Sequence, residues 1–180
     1  LHRVDRRQRQ MCIRDSSWEA LINVVSAALV LSYAVAPISV AALRKSAPEL
    51  ARPFRVRGFA LLGPVSFVIA ALIVYWSGWG TVSWLLGLQI LMFVIYLLCK
   101  RLVPTDHLSL GEQVRSSLWL IAFYALTIVI SYLGSFGGIG ALAHPFDTLT
   151  VTLMALCIYY WGANTGVPGA KLVLDGDEVE

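Results

Sequence analysis

Gln89 is the only carboxamide in the apolar stretch of residues 82–99, and it stands near its middle. An amide facing hydrocarbon is costly, so such a residue either lines a polar path or hydrogen-bonds a neighbouring helix. Ser26, Ser32 and Ser39 recur through the stretch 20–43, and Ser32 is followed directly by Tyr33. Serines in apolar helices often bond their own backbone carbonyls, so each of these hydroxyls has a local use as well as a pathway use. Ser32, Tyr33 and Gln89 are the candidates for pathway or coupling residues. Residues for covalent or hydrolytic chemistry are missing: there are no paired carboxylates, no His-Glu-x-x-His run and no Ser/His/Asp set. That chemistry needs clustered acids, bases or metal ligands, so no catalytic residue or cofactor is assigned and the chain is not read as an enzyme. His144 and Asp147 lie three apart, but a metal site needs more ligands, and they are read as ordinary loop residues. Cys12, Cys99 and Cys157 show neither metal spacing nor a disulfide framework.

The elements that must position these residues follow from where charge is absent. The 180 residues are 58% hydrophobic, and mean hydropathy is +0.72, far above the composition of a soluble domain. Lys, Arg, Asp and Glu are missing from 20–43, 59–99, 116–146 and 148–170. About 20 apolar residues at 1.5 Å each cross a hydrocarbon core of roughly 30 Å, and only helices or closed barrels can do so with their backbones satisfied. The runs lack the alternation of barrel strands, which leaves helices. Gly, Pro and Ser divide them into five spans, 20–43, 59–75, 82–99, 117–133 and 148–163, within a membrane region of 17–167. The fold class is therefore an all-α integral membrane protein. Pro37 is expected to kink the first span, because it removes a backbone donor.

Orientation comes from Lys and Arg, which are enriched in cytoplasmic loops. Arg44, Lys45, Arg52, Arg55 and Arg57 crowd the first connection, Lys100, Arg101 and Arg115 the third, and Lys171 the tail, while the second and fourth connections have none. The basic loop is thereby placed in the cytoplasm beside anionic headgroups, with the C-terminus, including the solvated acidic tail of 168–180, on the same side. The tryptophans all fall at span ends, as an interfacial belt requires. The integral location is the plasma (cytoplasmic) membrane, and the lipid bilayer is the first partner.

Residues 1–16, LHRVDRRQRQMCIRDS, contradict this topology by placing five arginines before the first span. The segment is not a signal peptide, and its MCIRDS run resembles translated sequencing-adapter read-through, so it is read as non-native. With five basic and two acidic groups it holds the whole formal charge of +3. The remainder is neutral, so the basic balance is no sign of nucleic-acid binding.

The stretch LSYAVAPISVAALRKSAPELARPFRVRG, 31–58, resembles the eighth helix and following cytoplasmic loop of the amino acid–polyamine–organocation (APC) permeases, with an Ala-Leu-Arg run and the triplet Arg52, Pro53, Phe54. SYLGSFGG (131–138) and YYWG (159–162) are similar to the last helices of bacterial members, the aspartate–proton symporter group among them. The resemblance implies a twelve-helix inverted-repeat transporter, of which the five spans would be the C-terminal part, helices eight to twelve. It implies secondary active transport of amino acids by alternating access, proton-coupled, with an acidic amino acid as expected substrate. The main substrate site would lie in upstream helices, and this chain alone is not expected to transport. The stretch 27–31 carries no hydroxyl, whereas sodium wants converging oxygens, which favours protons. An integral-membrane enzyme and a non-transporting membrane interaction module stay open as alternatives, as does a homo-oligomer.

Overall fold

The computed structural model describes residues 2–46, 48, 56–102 and 110–165. They form five helices: α1 (His2–Ser46), α2 (Phe59–Trp76), α3 (Trp79–Leu102), α4 (Leu110–Leu133) and α5 (Phe146–Asn164). No strand occurs among the described residues, so the all-helical class expected from the sequence is borne out. Among the described residues four stretches are long and apolar enough to cross a membrane: Trp18–Ser46, Phe59–Trp76, Trp79–Cys99 and Val114–Leu133. The fifth helix, α5, is more polar at its start, where Asp147, Thr148, Thr150 and Thr152 occupy its first two turns.

Each helix is longer than the span expected for it from the sequence. Polar and charged residues extend α3 to Leu102 and start α4 at Leu110, because a helix satisfies its own backbone in water as well as in lipid. α1 reaches 45 residues by running on through 2–17, ahead of its membrane span. It also runs through Pro37, as α2 runs through Pro64. Pro37 cannot donate to the carbonyl of Tyr33, four residues back.

The two ends of the bundle differ in chemistry. At one end, the basic end, lie Arg44, Lys45, Arg57 and Arg115; Arg52, Arg55 and the tail with Lys171 fall outside the described residues. At the other, the hairpin end, the α2–α3 and α4–α5 turns meet. Short connections make sequential helices antiparallel, yet α2 and α3 touch little beyond their shared turn. α2 packs instead on α1 and α5, while α4 packs on α3 and α5.

The core is built from helical stripes. Ala27, Leu31, Ala34 and Ile38 of α1 are buried at the spacing of one helix face. Phe67 of α2 packs on Phe123 of α4 at 5.1 Å and on Tyr159 of α5 at 6.2 Å between ring centroids. Near the basic end the helices approach closely. A Cβ on Gly162 of α5 would lie 2.8 Å from Ile38 and 3.0 Å from Trp119, so only glycine lets α1 and α4 close on α5 there. Lys45 donates to Asn164 Oδ1 at 2.6 Å, tying the end of α1 to the end of α5. The Arg44 guanidinium lies 4.2 Å from the centroid of the Phe59 ring, which pins the end of α1 to the start of α2.

Candidate functional site

Asp147 is the one Asp, Glu, Lys or Arg between Ser116 and Ala170, and the structure buries it completely, with 0% of its side chain exposed. It occupies the first turn of α5, where the helix dipole favours an anion. Four hydrogen bonds converge on its carboxylate. Tyr75 Oη, from the last turn of α2, donates to Oδ2 at 2.8 Å, and Ser135 Oγ, from the turn after α4, donates to the same oxygen at 2.5 Å. Thr148 donates to Oδ1 through its backbone N–H at 2.6 Å and through Oγ1 at 3.1 Å. His144 Nδ1 stands 3.5 Å from Oδ1 on an exposed ring.

The neighbouring backbone is shaped around these contacts. The Tyr75 hydroxyl rests against Gly134, at a place where a Cβ would collide with it. The Tyr75 ring meets Phe136 edge-on at 5.5 Å. Phe136 in turn accepts a bond from the Trp79 N–H at 3.0 Å, and Trp79 packs on Tyr132 at 5.2 Å. Both turns use left-handed glycines, Gly78 at φ 85° and Gly137 at φ 81°. The ends of α2, α3, α4 and α5 are thus fastened to one another through a network centred on one carboxylate.

Asp147 lies outside the four membrane spans. Burial pushes its pKa up, but the hydrogen bonds from Ser135, Tyr75 and Thr148 outweigh burial and hold it well below the ordinary carboxylate range. It stays ionised across the neutral range. A carboxylate so rich in donors acts as a tie between helices and does not exchange a proton near neutral pH.

The residues expected from sequence lie elsewhere and are not brought together. Ser32 and Tyr33 are exposed on the side of α1 opposite its buried stripe, Tyr33 at 72%. The Ser32 hydroxyl donates to the carbonyl of Ala28 at 2.9 Å, and Ser39 does the same to Val35 at 3.1 Å. Gln89 is exposed too, but its face is different. It follows Val82 by two turns and Leu86 by one, so it continues the face of α3 that is buried at the hairpin end. Cys99 and Cys157 are free and exposed. Among the described residues no group of His, Cys, Asp and Glu is placed to hold a metal.

Asp147, read from the sequence with His144 as an ordinary loop residue, is instead a buried residue in the first turn of α5; the misreading arose because it falls one residue before the charge-free run that begins at Thr148. Its isolation was the available signal. One carboxylate in a stretch otherwise free of formal charge, at the start of a helix, has few ways of being satisfied except by burial against hydroxyls.

Apolar helices long enough to span, with polar residues gathered at their ends and one satisfied carboxylate between them, define a multi-pass helical membrane protein. Comparison with known proteins narrows that class. The chain is 52% identical over 160 residues, 88% of its length, to the Aspartate-proton symporter of Bacillus subtilis (strain 168). It is 28% identical over 151 residues, 83% of its length, to the Glutamate/serine transporter AimA of the same organism. These alignments take in 31% and 28% of the two relatives, so the chain spans about a third of the length of the curated proteins it matches. No family model and no solved structure matches. Both relatives are named as amino acid transporters and neither as an enzyme, which bears out the resemblance to APC-type amino acid permeases and the reading that the chain is not an enzyme.

Proposed function

We propose that this chain is the C-terminal part of a secondary active transporter that moves amino acids across the plasma membrane by alternating access, in symport with protons and with an acidic amino acid as substrate. The observation that carries this reading is the 52% identity to an aspartate–proton symporter over 88% of the chain. The proposal includes α5 as a fifth span over 148–163, a membrane region of 17–167, a non-native segment at 1–16 and a cytoplasmic tail at 168–180. The cytoplasmic assignment of the basic end is supported by Arg44, Lys45, Arg57 and Arg115, all at that end.

Ser32, Tyr33 and Gln89 are the proposed pathway or coupling residues. The support for Gln89 is its position: an amide in line with the buried Val82 and Leu86, but itself uncovered by the described helices, is directed at protein or solute more readily than at lipid. The support for Tyr33 is its exposure beside a carbonyl that Pro37 leaves without its usual donor. Asp147 is excluded from proton carriage on this reading, because its donors keep it ionised.

The test is transport by the intact transporter that carries this segment, reconstituted in proteoliposomes. An inward proton gradient should drive accumulation of radiolabelled aspartate, and a protonophore should collapse it. Aspartate uptake indifferent to the gradient would refute the coupling, and uptake confined to neutral amino acids would refute the substrate.

A further inference from the structure

Glycines inside these helices mark places where another helix closes in. Tyr159 of α5 fills the space beside Gly63 of α2, and Ile38 of α1 and Trp119 of α4 fill the space beside Gly162 of α5. Gly80 and Gly87 of α3 break the pattern, for nothing stands within 4 Å of where a Cβ would lie on either. They are two turns apart and share one face of α3, with Ser83 between them. The Ser83 hydroxyl donates to the carbonyl of Gly80 at 3.2 Å, so this face needs no polar partner.

Around Gly87 the face forms a groove of about 380 Å³, lined by Ser83, Trp84, Gly87, Leu88 and Leu91. It is turned away from Val82, Leu85 and Leu86, the buried residues of α3. From Ser83 to Leu91 it runs about 12 Å along the helix axis, inside the stretch Trp79–Cys99 that is long and apolar enough to cross a membrane. Its occupant is therefore embedded in the membrane. Trp84 on its wall is 80% exposed, more than any other large apolar side chain described, and no residue from Gly87 to Cys99 is buried. Glycine weakens a helix, and against lipid chains it gives nothing in return. Two helices gain from it, because small residues let their backbones approach closely.

We propose that this groove seats one apolar transmembrane helix from the part of the transporter that lies outside this chain. The inference rests on the reading of the chain as the C-terminal part of a longer transporter. The 160 aligned residues are 31% of the aspartate–proton symporter relative, so more than twice as much of that protein lies outside the alignment as within it. Chain of that length, joined covalently ahead of α1, meets the groove at a higher effective concentration than a second copy does. The incoming helix lays an apolar ridge over Gly87, between Trp84 and Leu88. Gln89 stays outside this contact, because it lies on the other side of α3, in line with Val82 and Leu86.

Photocrosslinking in the intact transporter, in its native membrane, identifies the occupant. With p-benzoylphenylalanine in place of Trp84 and, separately, of Leu88, the irradiated protein should run as a monomer, and mass spectrometry should place the adduct on an apolar stretch upstream of the segment aligned with this chain. A crosslinked dimer, an adduct confined to lipid or to α1–α5, or no protein adduct at either position overturns the proposal. Gly87→Leu gives a second reading whose sign decides. A seated helix is displaced by the new side chain, so the thermal midpoint of the intact transporter should fall by roughly 2–6 °C. A groove open to lipid predicts an unchanged or raised midpoint, because leucine is the better helix former, and that result overturns the docking. If Gly87→Leu does not fold, Gly87→Ala reads the same sign in the intact transporter, in contrast to this chain by itself, where nothing meets the added methyl group. Failure of the transporter reading looks different: the intact protein would have no apolar helices upstream or would not take up aspartate, whereas uptake with adducts on lipid alone removes only the docked helix.

Discussion

Replacing Asp147 by Asn tests the account of the hairpin end most directly. The substitution keeps the shape and one carbonyl oxygen, and it removes the charge. Two side-chain donors from other elements, Tyr75 Oη and Ser135 Oγ, bond this carboxylate. Hydrogen bonds to a charged acceptor contribute about 1.5–3 kcal/mol and neutral ones about 0.5–1.5, so the two together lose about 2 kcal/mol. Losing an anion from the first turn of α5 removes about 0.3–1 kcal/mol more. The sum is about 3 kcal/mol, which for a chain of this length lowers the thermal midpoint by roughly 6–12 °C. The assay is thermal unfolding of the full chain in nanodiscs, followed by tryptophan fluorescence. Tyr75→Phe should also destabilise, and the double variant should lose at least about 1 kcal/mol less than the two single losses added, since both disturb one bond. A midpoint for Asp147→Asn within 1 °C of the parent would refute the reasoning, and so would strict additivity with Tyr75→Phe.

Gly134→Ala should act on the same tie from the other side, because its methyl group displaces the Tyr75 hydroxyl; a loss of about 1–3 kcal/mol is expected from overpacking, whereas Gly87→Ala, which meets nothing within 4 Å, should leave the thermal midpoint unchanged. The contribution of Asp147 also has a defined pH dependence. Its folded pKa is depressed, so its stabilisation is fully present above the unfolded value of about 3.9 and is lost only as pH falls below it; thermal midpoints at pH 5 and pH 8 should show no contribution from Asp147 to their difference, read as an equal effect of Asp147→Asn at both. In the intact transporter, Gln89→Ala should lower uptake per folded molecule beyond any loss of protein from the membrane, and an unchanged rate per molecule would make Gln89 a packing residue.

How far the sequence could be read depended on the length scale of the physics. The helices were legible because membrane crossing imposes a constraint over about 20 residues at once, and four charge-free runs, divided at Gly, Pro and Ser, mark it plainly. Their ends were not, since polar residues such as those at the start of α4 continue a helix without any hydropathy signal. Partners were less legible still. Nothing in the spacing says that Tyr75 meets Asp147, 72 residues on, because that pairing depends on α2 packing against α5 and only lightly against its sequence neighbour α3. The serines of α1 were legible in the bland sense: Ser32 and Ser39 bond their own backbone, as isolated hydroxyls in apolar helices do.

The two kinds of polar residue in these helices call for opposite environments, and the chain separates them in space. A group that carries a coupling proton has to gain and lose it near the working pH, so it must be short of donors and open to solute at some stage of the cycle. Asp147 has the reverse: burial, four hydrogen bonds and a helix N-terminus, all stabilising one charge state. A group held in this way fixes the elements it joins. The turns it fastens carry Tyr75, Trp79 and Phe136, which tie the ends of α2, α3, α4 and α5 to one another. Motion, on the transporter reading, then falls to surfaces that these contacts leave uncovered. Those are the side of α1 bearing Ser32 and Tyr33 and the length of α3 beyond Leu86, where Gln89 is exposed in line with the buried Val82 and Leu86.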